Sequence, residues 1–330
     1  MELVIKGIKW LFVFSLFALL CSCAKENEES VDDIEQRLID AYLYANPGYT
    51  QTPSGLCYQI VQEGSGTAPV DSNYVFVNYT GYDFKGNVVI SGSSPYSNSE
   101  SIAKQLGTFA YSKYYGPKLW GISKWTLYTG LIEAVKIMKP GGKMRVVMPS
   151  KLSTTGNSSK ALNNPIVIDI ELLIVVPDIA KYETNELLSF RNNNYPGLDT
   201  ITYDWYFKLL KTGDSYRPQH GDTVDIRYVG YLLDGFVFDT NIADSASFHR
   251  IYDKAKAYDA LEIVIDTTRT SNEYVLGFED AFERMGEKSE AVTFFSSSYG
   301  YKSQGSGEIQ GYTPLCFYMK VERIGRKPEE

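Results

Sequence analysis

Histidine is nearly absent from this chain: 330 residues hold two, the isolated His220 and His249. A Ser-His-Asp nucleophile or a histidine-rich metal centre therefore lacks the imidazoles it needs. There is also no Gly-x-x-x-x-Gly-Lys-Ser/Thr loop to cradle a phosphate, no Cys-x-x-Cys pair and no His-x-x-x-His pair. Cationic residues are outnumbered, 32 Lys and Arg against 40 Asp and Glu for a net charge of −8. That balance removes nucleic acid from the expected partners, because neutralising phosphate takes clustered cations. The apolar run from Trp10 to Leu20 is too short to cross a bilayer as a helix. Whatever chemistry remains must come from shape, aromatic rings and carboxylates, with neither metal nor cofactor expected.

Aromatic residues are what the sequence does have, 26 of them tyrosines, which suit half-buried sheets and peptide-facing surfaces. The length is enough for two domains, each with its own core. Lys6 and Lys9 ahead of the apolar run read as an export signal. The run ends in Leu20-Cys21-Ser22-Cys23, which resembles a bacterial lipobox, where a lipidated cysteine becomes the mature N-terminus. Cys23 fits better than Cys21, because Leu20 and Ser22 then take the expected positions. The resemblance implies a lipid anchor in the outer membrane, facing the periplasm or the cell surface; a plain cleaved signal peptide is the alternative. The following Ala-Lys-Glu-Asn-Glu-Glu resembles the acidic tag of surface lipoproteins in Bacteroides relatives, and a solvated tether has the same composition. Beyond this region only Cys57 and Cys316 remain, either bridged after export or two buried thiols.

Helical apolar spacing runs from Val31 to Ala45 through Ile34, Leu38, Ala41 and Ala45, and stops at Asn46-Pro47-Gly48. An internal repeat follows. The alternating strands Tyr74–Gly81 and Thr223–Gly230 both end in Tyr-x-Gly, and Ile168–Leu172 matches Phe317–Val321 at the same offset, 228 − 79 = 149. Between them, Gly130–Lys143 and Gly277–Lys288 are short amphipathic helices that stop at Gly-Gly-Lys and Gly-Glu-Lys. Three landmarks in one order mean duplication. The expected organisation is a signal peptide over 1–22, a tether and helix over 23–50, one domain over 51–177, a linker over 178–200 and a second domain over 201–330. Few helices and turn-joined strands give the α+β class with antiparallel sheets.

The second copy resembles the FKBP-type peptidyl-prolyl cis-trans isomerase family. The residues that carry the resemblance are Val224–Gly230, Asp234-Gly235, Phe238-Asp239, Val275-Leu276-Gly277-Phe278-Glu279, Met285–Lys288, Tyr299-Gly300 and the strand around Phe317. The first copy resembles the same family more faintly. The resemblance implies two tandem domains, each a bent antiparallel sheet wrapped around one short helix, and a prolyl pocket between sheet and helix. Tyr228, Phe238 and Phe317 would be its walls, and Phe278, where the family often has Trp, its floor. Val275 would offer a backbone contact, Tyr299 a hydroxyl for a substrate carbonyl, and Asp239 a buried carboxylate. The substrates implied are proline-containing exported polypeptides.

The first copy keeps Tyr79, but Val89-Ile90 is expected where Phe238-Asp239 stands, with Leu131 for Phe278 and Ile168 for Phe317. After Pro149 no tyrosine stands at the matching loop position. The first copy is therefore expected to be non-catalytic, a spacer, binding module or dimerisation surface. Its insertion with Tyr111, Tyr114, Tyr115, Trp120 and Trp125 is either a recognition surface or a lid on its own core. The rival readings of the whole chain are a peptide- or partner-binding lipoprotein and, further off, a glycan-contacting one.

Overall fold

The computed structural model describes residues 30–91, 94–123, 125–266 and 274–328. The export signal, lipobox and acidic tag lie outside those residues. The chain divides after Pro47 into two units. The first contributes helix α1 (Val31–Ala45), capped by Ser30, whose Oγ accepts from the Asp33 amide. Its buried residues are Glu35 and Ile39, while Val31, Ile34 and Leu38 are exposed. Ile34, Leu38, Ala41 and Ala45, which carry the apolar spacing, are all exposed.

In the second unit, the first half runs β1 (Thr50–Gln51), β2 (Cys57–Gln62), β3 (Tyr74–Tyr82), β4 (Ile90–Ser91), β5 (Ser94–Pro95), α2 (Glu100–Gln105), β6 (Lys118–Gly121), α3 (Thr129–Ile137), β7 (Lys143–Met148) and β8 (Ile166–Val176). The second half runs α4 (Ile179–Asn194), β9 (Thr200–Thr202), β10 (Trp205–Lys211), β11 (Thr223–Leu232), β12 (Val237–Thr240), α5 (Ala243–Phe248), β13 (Leu261–Val264), α6 (Leu276–Phe282), β14 (Glu290–Phe295) and β15 (Leu315–Gly325). The sheets are antiparallel, ordered β1-β2-β7-β8-β3-β6 and β9-β10-β14-β15-β11-β12, with β13 also on β11.

Each sheet closes over one helix because the apolar residues alternate on the strands and recur at i, i+3 and i+4 on the helix. Val75 and Val77 on β3 and Val224 and Ile226 on β11 have no exposed surface. Leu131, Ala134 and Val135 on α3, and Phe278, Ala281 and Phe282 on α6, supply the facing stripes. The register slips at Phe76/Val77 against β8 and at Asp225/Ile226 against β15, the same place in both halves. The fold is α+β, two tandem domains of one plan.

The segment expected to be a linker is mostly the 16-residue α4, capped by Asp178. Leu187 and Phe190 of α4 pack with Tyr206, Phe294 and Cys316, on the sheet face opposite α6. Pro47-Gly48 after α1 and Pro196-Gly197 after α4 stand 149 residues apart (196 − 47), so the helix belongs to the repeated unit. Cys57 and Cys316 are both buried thiols rather than a bridge, and burial pushes the Cys316 thiol up to about 12.

Candidate functional site

In the second domain Gly230 sits on β11 opposite Asp239 on one side and Phe317 on the other. A Cβ at Gly230 would lie 2.5 Å from Phe238 Cε2 and 2.9 Å from Phe317 Cε1, so glycine is what lets those two rings meet. Phe278 comes up from α6, its ring centroid 5.0 Å from that of Phe317 and 5.4 Å from that of Tyr228. Phe238 and Phe317 meet edge to face at 5.6 Å. These four rings line one cavity of about 630 Å³ together with Asp239, Leu261, Tyr274, Val275, Leu276 and Tyr301. Val275 is the N-cap of α6, and its carbonyl already accepts from the Phe278 and Glu279 amides.

The polar groups gather at one side. Tyr228 donates its hydroxyl to Asp239 Oδ2 at 2.5 Å. Burial, then that hydrogen bond, raises the Tyr228 phenol, which stays protonated. Asp239 is not the buried carboxylate expected: its side chain is 43% exposed and meets Lys256 Nζ at 2.5 Å. Lys256 arrives on the segment after α5, which also donates to the Thr240 carbonyl through the same ammonium. Asn241 fixes where β12 leaves the sheet, accepting from the Tyr228 amide at 2.8 Å and donating to the Ile226 carbonyl at 2.8 Å.

Tyr299 is the expected residue that the fold does not bring to the cavity. It closes a one-turn 3-10 helix (Ser297–Tyr299), and its hydroxyl meets Thr202 Oγ1 at 2.9 Å. The chain turns at Gly300, and Tyr301 faces the cavity instead. Sequence reasoning missed Tyr301, Tyr274 and Leu261; the only available signal was a second tyrosine beyond Gly300.

The rim turn is held from outside. Glu183 on α4 is 4% exposed and accepts from the Ser297 amide at 3.0 Å and Ser297 Oγ at 2.7 Å. Burial raises its carboxyl above the ordinary value. Glu183→Ala strands a buried N–H and a buried hydroxyl, at a cost of about 1–3 kcal/mol. Urea unfolding of the full chain, with Glu183→Gln as the variant that keeps an acceptor, checks this; equal stability of wild type and Glu183→Ala contradicts it.

The first domain places a different ring at the corresponding glycine. Thr80 bridges to Ser97 and the Gly81 amide donates to the Tyr96 carbonyl, as Val229 pairs with Thr240 and Gly230 with Asp239. Asn98 repeats Asn241, accepting from the Tyr79 amide at 2.8 Å. Tyr96, not Ile90, therefore holds the place of Asp239, because 15 residues separate Gly81 from Tyr96 (96 − 81) and only 9 separate Gly230 from Asp239 (239 − 230). A Cβ on Gly81 would lie 2.5 Å from Tyr96 Cδ1, so the Tyr96 ring occupies the space over the glycine. Leu131 and Ile168 stand beneath it, fully buried.

A family model described as FKBP-type peptidyl-prolyl cis-trans isomerase matches residues 214–322. The FKBP-type peptidyl-prolyl cis-trans isomerase FkpA of Escherichia coli K12 is 32% identical over 132 residues, 39% of this chain and 41% of that protein. Outer membrane protein MIP of Legionella longbeachae is 33% identical over 117 residues, 34% of this chain and 41% of that one. The matched stretch thus spans about two fifths of each relative's length. The crystal structure of FkpA from Escherichia coli aligns with a TM-score of 0.31 at 26% identity, covering 53% of this chain and 71% of that one.

Proposed function

We propose, from the premise that this chain belongs through residues 214–322 to the FKBP-type peptidyl-prolyl cis-trans isomerase family, that its second domain isomerises X-Pro bonds. The observation that carries the reading is the convergence of Tyr228, Phe238, Phe278 and Phe317 on one cavity of about 630 Å³. Amide rotation faces a barrier of about 18–20 kcal/mol because it breaks resonance, and X-Pro bonds interconvert in tens to hundreds of seconds. The twisted transition state has lost conjugation and part of its dipole, so a pocket of rings favours it over the planar ground state. No bond other than the rotating amide changes. Phe238 and Phe317 clasp the prolyl ring, Phe278 floors the pocket, and Tyr228 is held by Asp239 with its ring toward the substrate. Tyr301 rather than Tyr299 offers the hydroxyl to a substrate carbonyl. The first domain is non-catalytic, its site filled by Tyr96. Lipid attached at Cys23 would place both domains at the cell envelope, with exported proline-containing polypeptides as substrates.

The test is an X-Pro peptide isomerisation assay on the full chain. Phe238→Ala is expected to lower kcat/KM by about tenfold, equivalent to about 1.4 kcal/mol of transition-state stabilisation, with the fold retained. A wild-type chain with no activity, yet binding the peptide, would replace this reading by the non-catalytic one.

A further inference from the structure

Two loops adjoin the strands that wall the pocket, and both are gripped by the first domain. The hairpin between β11 and β12 turns at Asp234-Gly235, with Gly235 at φ +93°, and leads directly to Phe238 and Asp239. The second loop continues from the cavity residues Tyr301 and Lys302 to Tyr312 before β15 begins. Tyr114, from the first domain's segment between α2 and β6, reaches both. Its hydroxyl donates to Asp234 Oδ2 at 2.8 Å, and its ring meets Phe236 edge to face at 5.2 Å. Its amide donates to Glu308 Oε2 at 3.0 Å on the other loop. Beside it the Gln310 side chain works like a strand partner for the β6 edge, accepting from the Leu119 amide and donating to the Pro117 carbonyl, each at 2.9 Å. Tyr74 and Tyr312 join their hydroxyls at 3.0 Å. Tyr114 even packs against the core of the second domain.

The corresponding segment of the second domain shows what the first has given up. Both follow a six-residue helix with a single buried alanine, Ala103 or Ala246, and a left-handed residue, Gly107 at φ +67° or Arg250 at +60°. In the second domain the segment turns onto its own site and brings Lys256 to Asp239. In the first domain it turns away and brings Tyr114 to the neighbour's hairpin.

We propose that Tyr114 is a positioning residue for the second domain's pocket, the first domain serving as a fixed brace for the Asp234 hairpin and the Glu308–Tyr312 loop. This rests on the isomerase reading of that pocket. Unbraced, the Asp234 hairpin and the Tyr301–Tyr312 loop sample more positions and capture of the peptide weakens, whereas the ring cluster on the strands and α6 is unchanged. The expected signature is therefore a rise in KM rather than a fall in kcat.

The experiment uses the full chain and three forms: wild type, Tyr114→Phe, which removes one oxygen, and Tyr114→Ala. Peptide isomerisation kinetics are read together with amide hydrogen exchange over 232–240 and 301–312. Tyr114→Ala is expected to raise KM about fivefold with kcat little altered and to speed exchange in both segments, with Tyr114→Phe intermediate. Unchanged exchange in both segments of Tyr114→Ala overturns the inference, whatever the kinetics. If the wild type is inactive, the isomerase reading fails on its own, and exchange still decides whether Tyr114 braces the loops.

Discussion

A Phe317→Ala chain is expected to isomerise X-Pro peptides no faster than the uncatalysed rate and to lose about 3–5 kcal/mol of stability in its second domain. Phe317 is 5% exposed and its ring stands between four others, at 5.0 Å from Phe278, 5.6 Å from Phe238, 6.0 Å from Phe295 and 6.4 Å from Tyr228. It pairs with Gly230 on one neighbour and Thr293 on the other, so its strand is central and cannot shift to fill the void. Removing the ring takes away a pocket wall and opens a cavity under the floor at once. Phe317→Leu separates the two effects. It keeps most of the bulk, so it is expected to unfold near the wild-type denaturant midpoint while losing the ring edge that lines the cavity. Activity in Phe317→Leu equal to wild type would mean that bulk, not an aromatic face, is what this position contributes.

Most of the second domain's cavity was legible in the sequence because its walls lie on regular strands and one helix. Tyr228, Phe238 and Phe317 alternate correctly on β11, β12 and β15, and Phe278 shares a helical stripe with Ala281 and Phe282. The position of one short helix between two runs of strands in each half followed from the repeat. What lay on irregular backbone was not legible. A 3-10 turn ending at Gly300 decides which of two tyrosines faces inward, and no periodicity reports that turn. The expected buried carboxylate is instead half-exposed and paired with Lys256, a partner 17 residues along the chain that no local pattern reports. The linker proved helical because Leu187 and Phe190 have a second apolar sheet face to cover, which composition alone does not disclose. On α1 the apolar spacing announced the helix but not its burial: Ile34 and Leu38 are exposed, Glu35 and Ile39 buried.

The first domain was expected to lack the second's rings, and in it the Tyr96 ring lies over Gly81. Tyr96→Ala is therefore expected to destabilise the first domain by about 3 kcal/mol and to leave an apolar hollow over Gly81. Tyr96 packs edge to face with Tyr79 at 5.2 Å, and burial, then Tyr79 and Tyr128, raise its phenol well above the ordinary value. A raised phenol contributes stability that is present below the unfolded value near 10 and is lost as pH rises through the folded one. Wild type should thus lose first-domain stability in strong alkali, and Tyr96→Phe should lose less. The hollow in Tyr96→Ala is lined by Tyr79, Leu131 and Ile168 rather than by a full set of rings, so it is expected to take up a small apolar probe such as indole without gaining isomerase activity. Indole raising the melting temperature of Tyr96→Ala but not of wild type is the supporting outcome. No shift in either chain, with the variant as stable as wild type, would mean the Tyr96 ring is a surface cover and that the first domain's site is closed by something else.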